Sequence, residues 1–281
     1  MASVSMKAAL SALCLYSFLS VQGATIKREA KYPRFERSCY RNMSSSELGE
    51  CLKANFQSSI PRFKSAGIPG VYPESIDPLY WPVFSHYFGG DLIKGALSVK
   101  ELSTIGWSNM KISAVRANVK DPHKMLVDFD WKLPQLDIFG HFKLDGRIGL
   151  ANFRGAGPFI LNLTSVSGTW RVSGSRQKGE PFMKIGSFRG VPKFEGFKLK
   201  AAGAALGNEA LSNVIVATIN RGWRILYPIA VPAVDREWGN FCKEKLNRVF
   251  LTVPYDELFP LNPPSIKRSR EILEDVSLKI E

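Results

Sequence analysis

The sequence predicts an α+β fold in which a highly curved antiparallel β-sheet wraps one long helix, and three stretches carry that prediction. In the first, Leu136, Ile138, Gly140, Phe142, Leu144, Gly146, Ile148 and Leu150 alternate with Asp137, Phe139, His141, Lys143, Asp145, Arg147 and Gly149. Period-two patterning of this kind is a strand apolar on one face and wet on the other. At roughly 3.3 Å per residue it would reach about 50 Å, too long to stay flat. Gly140 and Gly146 fall on its apolar face, where a missing side chain lets the strand bend or another chain approach. In the second stretch, Phe129, Trp131 and Leu133 alternate with Asp128, Asp130 and Lys132, and Pro134 separates this strand from the long one. In the third, from Asn208, the period becomes helical, with Leu211, Val214, Ile215, Thr218, Ile219 and Trp223 on one face. Long strands followed by a long apolar helix pack if the sheet rolls around the helix. A rolled sheet and one slender helix need not fill the space between them, and the remainder is an apolar tunnel.

The elements follow in order. Lys7 precedes an apolar run from Ala8 to Val21, and Val21-Gln22-Gly23 offers small residues for cleavage before Ala24. Residues 1–23 are therefore expected to be a secretory signal peptide, too short to span a membrane, and the protein is expected to be secreted and extracellular. A ligand-binding domain is expected over 24–263 and a charged tail over 264–281. Residues 24–38 read as a loose arm. Ser44 and Glu47 have capping-box spacing, and Leu48, Cys51, Leu52, Phe56 and Ile60 mark the buried face of a helix that Pro61 should stop or kink. Residues 65–82 are too proline-rich for helix or central strand. Shorter β-like runs are expected at 93–102 and 111–120. Gly155-Ala156-Gly157-Pro158 reads as a turn, Phe159, Leu161 and Leu163 resume the alternation, and a further strand is expected around 169–173 between turns at Gly168 and Gly174. Residues 176–200, glycine- and lysine-rich with isolated aromatics, resist assignment. Pro228 and Pro232 should interrupt the long helix, with a second helix from about Asp235 to Leu251.

Export changes how the cysteines read. Cys14 leaves with the leader, and Cys39 and Cys51, neighbours in an oxidising compartment, are expected to form a bridge worth about 3 kcal/mol. Cys242 reads as a small buried hydrophobe beside Phe241. Asn42 and Asn162 begin glycosylation sequons, and the alternation puts Asn162 on the outer face of its strand. The net charge of +13 raises nucleic acid as a partner, but the basic residues are scattered rather than gathered in a recognition motif, so no nucleic acid is expected. A weak contact with an anionic membrane surface or with glycans is the more plausible use of that charge, and a solvated surface that happens to be basic is more plausible than either.

Several motifs, in order and spacing, resemble the insect juvenile-hormone-binding and takeout family of secreted carriers. They are Cys39 and Cys51 around a helix start, Gly67-Ile68-Pro69, Ile76-Asp77-Pro78-Leu79, Leu133-Pro134-Gln135-Leu136, Gly140 to Arg147, Gly155-Ala156-Gly157, Asn220 with Trp223, and Val253 to Pro260. The resemblance spans roughly Cys39 to Pro260. It implies the tubular lipid-binding fold, with a hydrophobic cavity holding juvenile hormone or another apolar small molecule. Some relatives carry a second bridge, for which Cys242 has no mature partner here.

The function expected is a monomeric carrier of a small hydrophobic ligand, such as a juvenile-hormone-like terpenoid or a fatty-acid derivative. Phe129, Trp131, Leu133, Ile138, Phe142, Leu144, Val214, Ile219 and Trp223 are the expected cavity lining, each of which could alternatively be ordinary core. The second reading is a secreted protein of the same fold, its cavity small or filled, acting through its basic surface on a receptor or anionic membrane. An enzyme is not expected: no Gly-x-Ser-x-Gly, His-Glu-x-x-His or Ser-x-x-Lys is present. His86, His123 and His141 lack metal-ligand spacing, so neither a metal nor a cofactor is expected.

Overall fold

A computed structural model describes residues 37–263 except 82, 91, 92, 149 and 150. The leader expected over 1–23, most of the expected arm and the tail expected over 264–281 lie outside the described residues.

The first helix, α1 (Ser45–Ala66), begins on the expected capping box: Ser44 Oγ accepts from the Glu47 N–H, and Glu47 Oε2 accepts from the Ser44 N–H at 3.0 Å. Pro61 does not stop it. The proline is exposed, and the buried Ile60 and Phe63 on either side hold the helix down across the one missing hydrogen bond. Cys39 and Cys51 are bridged, and the Asn55 amide exchanges two further hydrogen bonds with the Arg37 backbone, pinning the incoming chain to α1.

Eight strands follow among the described residues, all paired antiparallel: β1 (Leu79–Tyr80), β2 (Phe84–Gly89), β3 (Ile93–Ile105), β4 (Lys111–Asn118), β5 (Met125–Ile148), β6 (Ala151–Arg176), β7 (Met183–Arg189) and β8 (Gly196–Ala201). The order is β1-β3-β5-β6-β7, with β2 also on β3, β4 on β5 and β8 on β6. The result is a large curved sheet that does not close into a barrel.

The hairpin of β5 and β6 is longer than the sequence reading expects, because neither Pro134 nor the Gly155–Pro158 stretch breaks its strand. Pro134 is tolerated for a positional reason. On that side of β5, β4 pairs only with Leu126–Lys132 and β3 only with Asp137–Ile148, so the missing N–H falls in the gap between them. At this level both strands exchange inner and outer faces. Trp131 and Leu133 are buried on β5, then Leu136; Val166 is buried on β6, then Leu163; Pro134, Gln135, Thr164 and Ser165 between them are exposed. Ser165, at φ 51°, absorbs the switch.

The expected turns at Gly168 and at Gly155–Pro158 are likewise strand, and the glycines serve close approach instead. Gly168 stands opposite Trp131 in register, and a Cβ there would lie 2.9 Å from the indole. At Gly155 a Cβ would lie 2.5 Å from the Ala204 carbonyl, where residues 202–205 pass over β6. Gly146 admits the β3 backbone in the same way. The unassigned segment 176–200 contributes β7 and all of β8 but its last residue.

A single helix α2 (Glu209–Phe250) replaces the two expected. Its 42 residues make it about 63 Å long. Pro228 and Pro232 are one turn apart and both exposed. The carbonyls they orphan, of Arg224 and of Pro228 itself, therefore lie on the solvent side, where water satisfies them. Asn208 caps the N-terminus through Leu211 N–H. Two asparagine amides then splice α2 to sheet backbone. Asn247 bonds both the N–H and the C=O of Ile185 on β7, and Asn220 does the same with Leu199 on β8. The short helix α3 (Tyr255–Leu258) is the last of the described elements, its fully buried Tyr255 donating to the Val119 carbonyl.

Candidate functional site

Apolar side chains facing the sheet interior fall into two groups with different packing. One surrounds the C-terminal half of α2. Five of the six tryptophans (Trp81, Trp107, Trp131, Trp170 and Trp238) meet there. Trp238 stacks on Trp81 with ring centroids 4.7 Å apart and on Trp107 at 5.7 Å, and Trp131 lies 5.1 Å from Trp170. Phe188 and Phe241 complete the group. Trp107 is set by a short 3₁₀ turn, Trp107–Asn109, whose start is held by Asp77: its carboxylate accepts from Gly106 N–H at 2.8 Å and Ser108 N–H at 3.0 Å. The indole then donates to Thr104 Oγ1 at 2.7 Å. Asp235 on α2 accepts from Arg189 Nε and Gly190 N–H, fixing the helix at the end of β7.

The second group lies toward the other end of the long hairpin. There the inward residues of β5 and β6, Phe142, Leu144 and Phe159, are each only half-buried, as are Phe84 and Phe88 on β2 and Leu97 on β3. Phe142 and Leu144 belong neither to the buried core nor to the side chains packed against it. The sixth tryptophan, Trp223, groups with Phe194 and Phe197 at 4.8 and 5.7 Å, and both phenylalanines also pack against the core. Tyr227 packs on Phe194 and donates its hydroxyl to the Pro192 carbonyl, and burial pushes its pKa up to about 12, so it stays a neutral donor. The first half of α2 carries apolar side chains on two sides: Ile215, Val216 and Ile219 are half-buried, while Leu211, Val214, Ile225 and Ile229 are exposed.

The nine residues expected to line a cavity divide between these groups. Trp131 and Leu133 are core residues at 2 % exposure; Phe129 packs edge-on against Phe56 of α1, and Ile138 lies against the core. Phe142, Leu144, Ile219 and Trp223 sit half-covered at the open end, and Val214 is 61 % exposed. Sequence reading missed Phe194 and Phe197, whose signal is the pair of aromatics around Gly196 in the unassigned segment. It also missed Phe84 and Phe88 on β2, the alternate residues of a strand too short to stand out.

The polar candidates are dispersed. His141 pairs with Glu101 on the outer face at 3.1 Å, His86 meets Arg236, and His123 meets the Arg176 carbonyl. Among the described residues no group of three His, Cys, Asp or Glu could hold a metal ion. Asp128 and Asp130 also point outward, each bound to an arginine. Cys242 is free and packs against the core, and burial pushes its thiol pKa well up, so it behaves as the small hydrophobe expected. The Asn42 and Asn162 amides donate to Asn262 and Asp137 at 2.8 and 2.7 Å, Asn162 on the outer face. Chemically, the open end offers hydrocarbon with few polar groups, suited to taking apolar surface out of water at about 25 cal/mol per Å².

The family model for haemolymph juvenile hormone binding protein matches residues 12–260. A putative beta-carotene-binding protein from Schistocerca gregaria is 22% identical over 236 residues, covering 80% of this chain and 88% of that one. The crystal structure of Takeout 1 from Epiphyas postvittana superposes with a TM-score of 0.59 at 20% identity, covering 77% of this chain and 98% of the other.

Proposed function

Because the chain belongs to the haemolymph juvenile hormone binding protein family, whose members bind small hydrophobic molecules, we propose that it is a secreted carrier. Its cargo is a terpenoid or fatty-acid derivative, held at the open end between the inner face of the long hairpin and the first half of α2. The observation that carries this reading is the uneven covering of the interior. Side chains as apolar as Phe142, Leu144 and Ile219 lie half-covered, while an aromatic core a few turns away is packed tightly. Apolar residues left that way are stabilised by a guest that removes the remaining area from water. The locust relative, a putative carotenoid binder, supports an elongated apolar cargo. Two measurements test the reading. Protein purified from its source and extracted with organic solvent should release a stoichiometric lipid-like molecule, and delipidated protein should take up an apolar fluorescent probe saturably. Repeatedly clean extracts together with non-saturable uptake would sink it.

A further inference from the structure

We propose that the exposed side of the first half of α2 is a docking surface for anionic lipid bilayers. On a helix turning about 100° per residue, Leu211, Val214, Thr218, Ile225 and Ile229 share one stripe, about 27 Å long. Ile225 is 77 % exposed and Val214 61 %. The stripe presents almost only hydrocarbon, because the Thr218 hydroxyl is spent on the Val214 carbonyl of its own helix at 2.8 Å. Past Pro232 the same face turns polar, with Arg236, Asn240 and Glu244, so the apolar half is confined to one end.

Charge selects the occupant. Asn220 grips both backbone groups of Leu199, which brings Lys198 and Lys200 alongside the turn that carries Arg221 and Arg224. None of these four cations makes an ion pair among the described residues, and Arg224 lies over the Trp223 ring at 4.4 Å while donating to the Glu195 carbonyl. A hydrocarbon stripe bordered by cations that no carboxylate neutralises is the pattern of a helix lying in a lipid interface. A second copy is disfavoured, because a self-complementary contact would bring the arginines together on a chain of net charge +13. No helix among the described residues is long and apolar enough to cross a membrane, so the contact is peripheral.

This inference does not rest on the carrier reading, and vesicle flotation tests it separately from probe uptake. The protein should float with phosphatidylcholine vesicles containing phosphatidylserine and much less with phosphatidylcholine alone, and added salt should weaken the binding. Joint Ile225→Ser and Ile229→Ser changes should lower vesicle affinity by about tenfold or more, with probe uptake unchanged. If that variant misfolds, an environment-sensitive dye on Ile225→Cys should shift to the blue when vesicles are added, whereas the same dye on Glu244→Cys should not. The proposal is overturned by absent or stripe-independent flotation, or by a dye at position 225 blind to vesicles. Loss of probe uptake in the double variant overturns it too, making the stripe ligand wall. So does a concentration-dependent dimer that the same changes abolish, which would mark a protein interface.

Discussion

Around Trp238 the long helix is packed against stacked rings, whereas around Ile225, less than four turns earlier, the same helix leaves apolar side chains in water. Both regions draw on the same residue types and the same hairpin. They differ in what covers them. At the aromatic end, α1, the 3₁₀ turn at Trp107 and β7 close over β5 and β6, and a disulfide and the Asp77 and Asp235 carboxylates fix the closing pieces. At the open end the sheet's inner face and the helix are held by one amide clamp, Asn220, and by the Phe194–Trp223–Tyr227 group. The contrast separates the two tasks. One end carries stability, and the other keeps apolar surface available.

The sharpest break of this comparison pairs two substitutions. Trp131→Ala removes a ring at the centre of the aromatic end and should destabilise by about 3–5 kcal/mol, read as a lowered urea midpoint. Leu144→Glu should leave the midpoint within about 1 kcal/mol yet cut apolar-probe uptake by about tenfold or more, since a bound guest would bury the carboxylate unpaired. Exchange of these phenotypes would mean that the guest sits at the aromatic end. Replacing Cys39 and Cys51 together by serine should cost about 3 kcal/mol by freeing a short loop in the unfolded chain. Its uptake should stay intact, because α1 braces Phe129 at the aromatic end only.

Smaller effects should follow from the two amide clamps, about 1–2 kcal/mol each for Asn247→Ala and Asn220→Ala, since each strands a strand-edge N–H and C=O. Amide hydrogen exchange distinguishes them. Asn220→Ala should speed exchange most along β8 and the first turns of α2, while Asn247→Ala should lower protection throughout.

Much of this was legible in residue order. The alternation at 136–147, the capping box at Ser44 and the Cys39–Cys51 bridge are local patterns, and each forms as read, whereas the helical face expected from Asn208 splits, with Ile215, Ile219 and Trp223 half-covered and Leu211, Val214 and Thr218 exposed. What failed were the punctuation marks. Pro61, Pro134, Pro228 and Pro232 each remove one hydrogen bond, and whether that ends an element depends on what lies across from the missing donor. For Pro134 it is a gap between two partner strands, and for the α2 prolines it is solvent. Glycine misled similarly: Gly155 and Gly168 answer to the Ala204 backbone and the Trp131 ring, distant in sequence. The division of the nine lining residues was invisible for the same reason. The period that puts Trp131 and Leu144 on inner faces says nothing about which of them another element will cover.

The mildest expected effect concerns the outer face of the aromatic end, where Arg116 donates to both carboxylate oxygens of Asp130 and Thr169 adds a third hydrogen bond. The Arg116 bonds, opposed by partial burial, hold the Asp130 carboxyl down at about 2. An unfolded aspartate titrates near 3.9, so the folded chain keeps this proton off more readily. The stabilisation is therefore complete above about pH 4 and is lost as the pH falls toward about 2. Arg116 is more than half exposed, so solvent screening limits the contribution to below about 1 kcal/mol. Asp130→Asn should lower the urea midpoint slightly at pH 7, with the difference from the parent vanishing near pH 2. Probe uptake at pH 7 should not change, because Asp130 faces away from the interior. A loss of uptake here would show that strain on the outer face of the aromatic end reaches the open end, and the two regions would have to be treated as one.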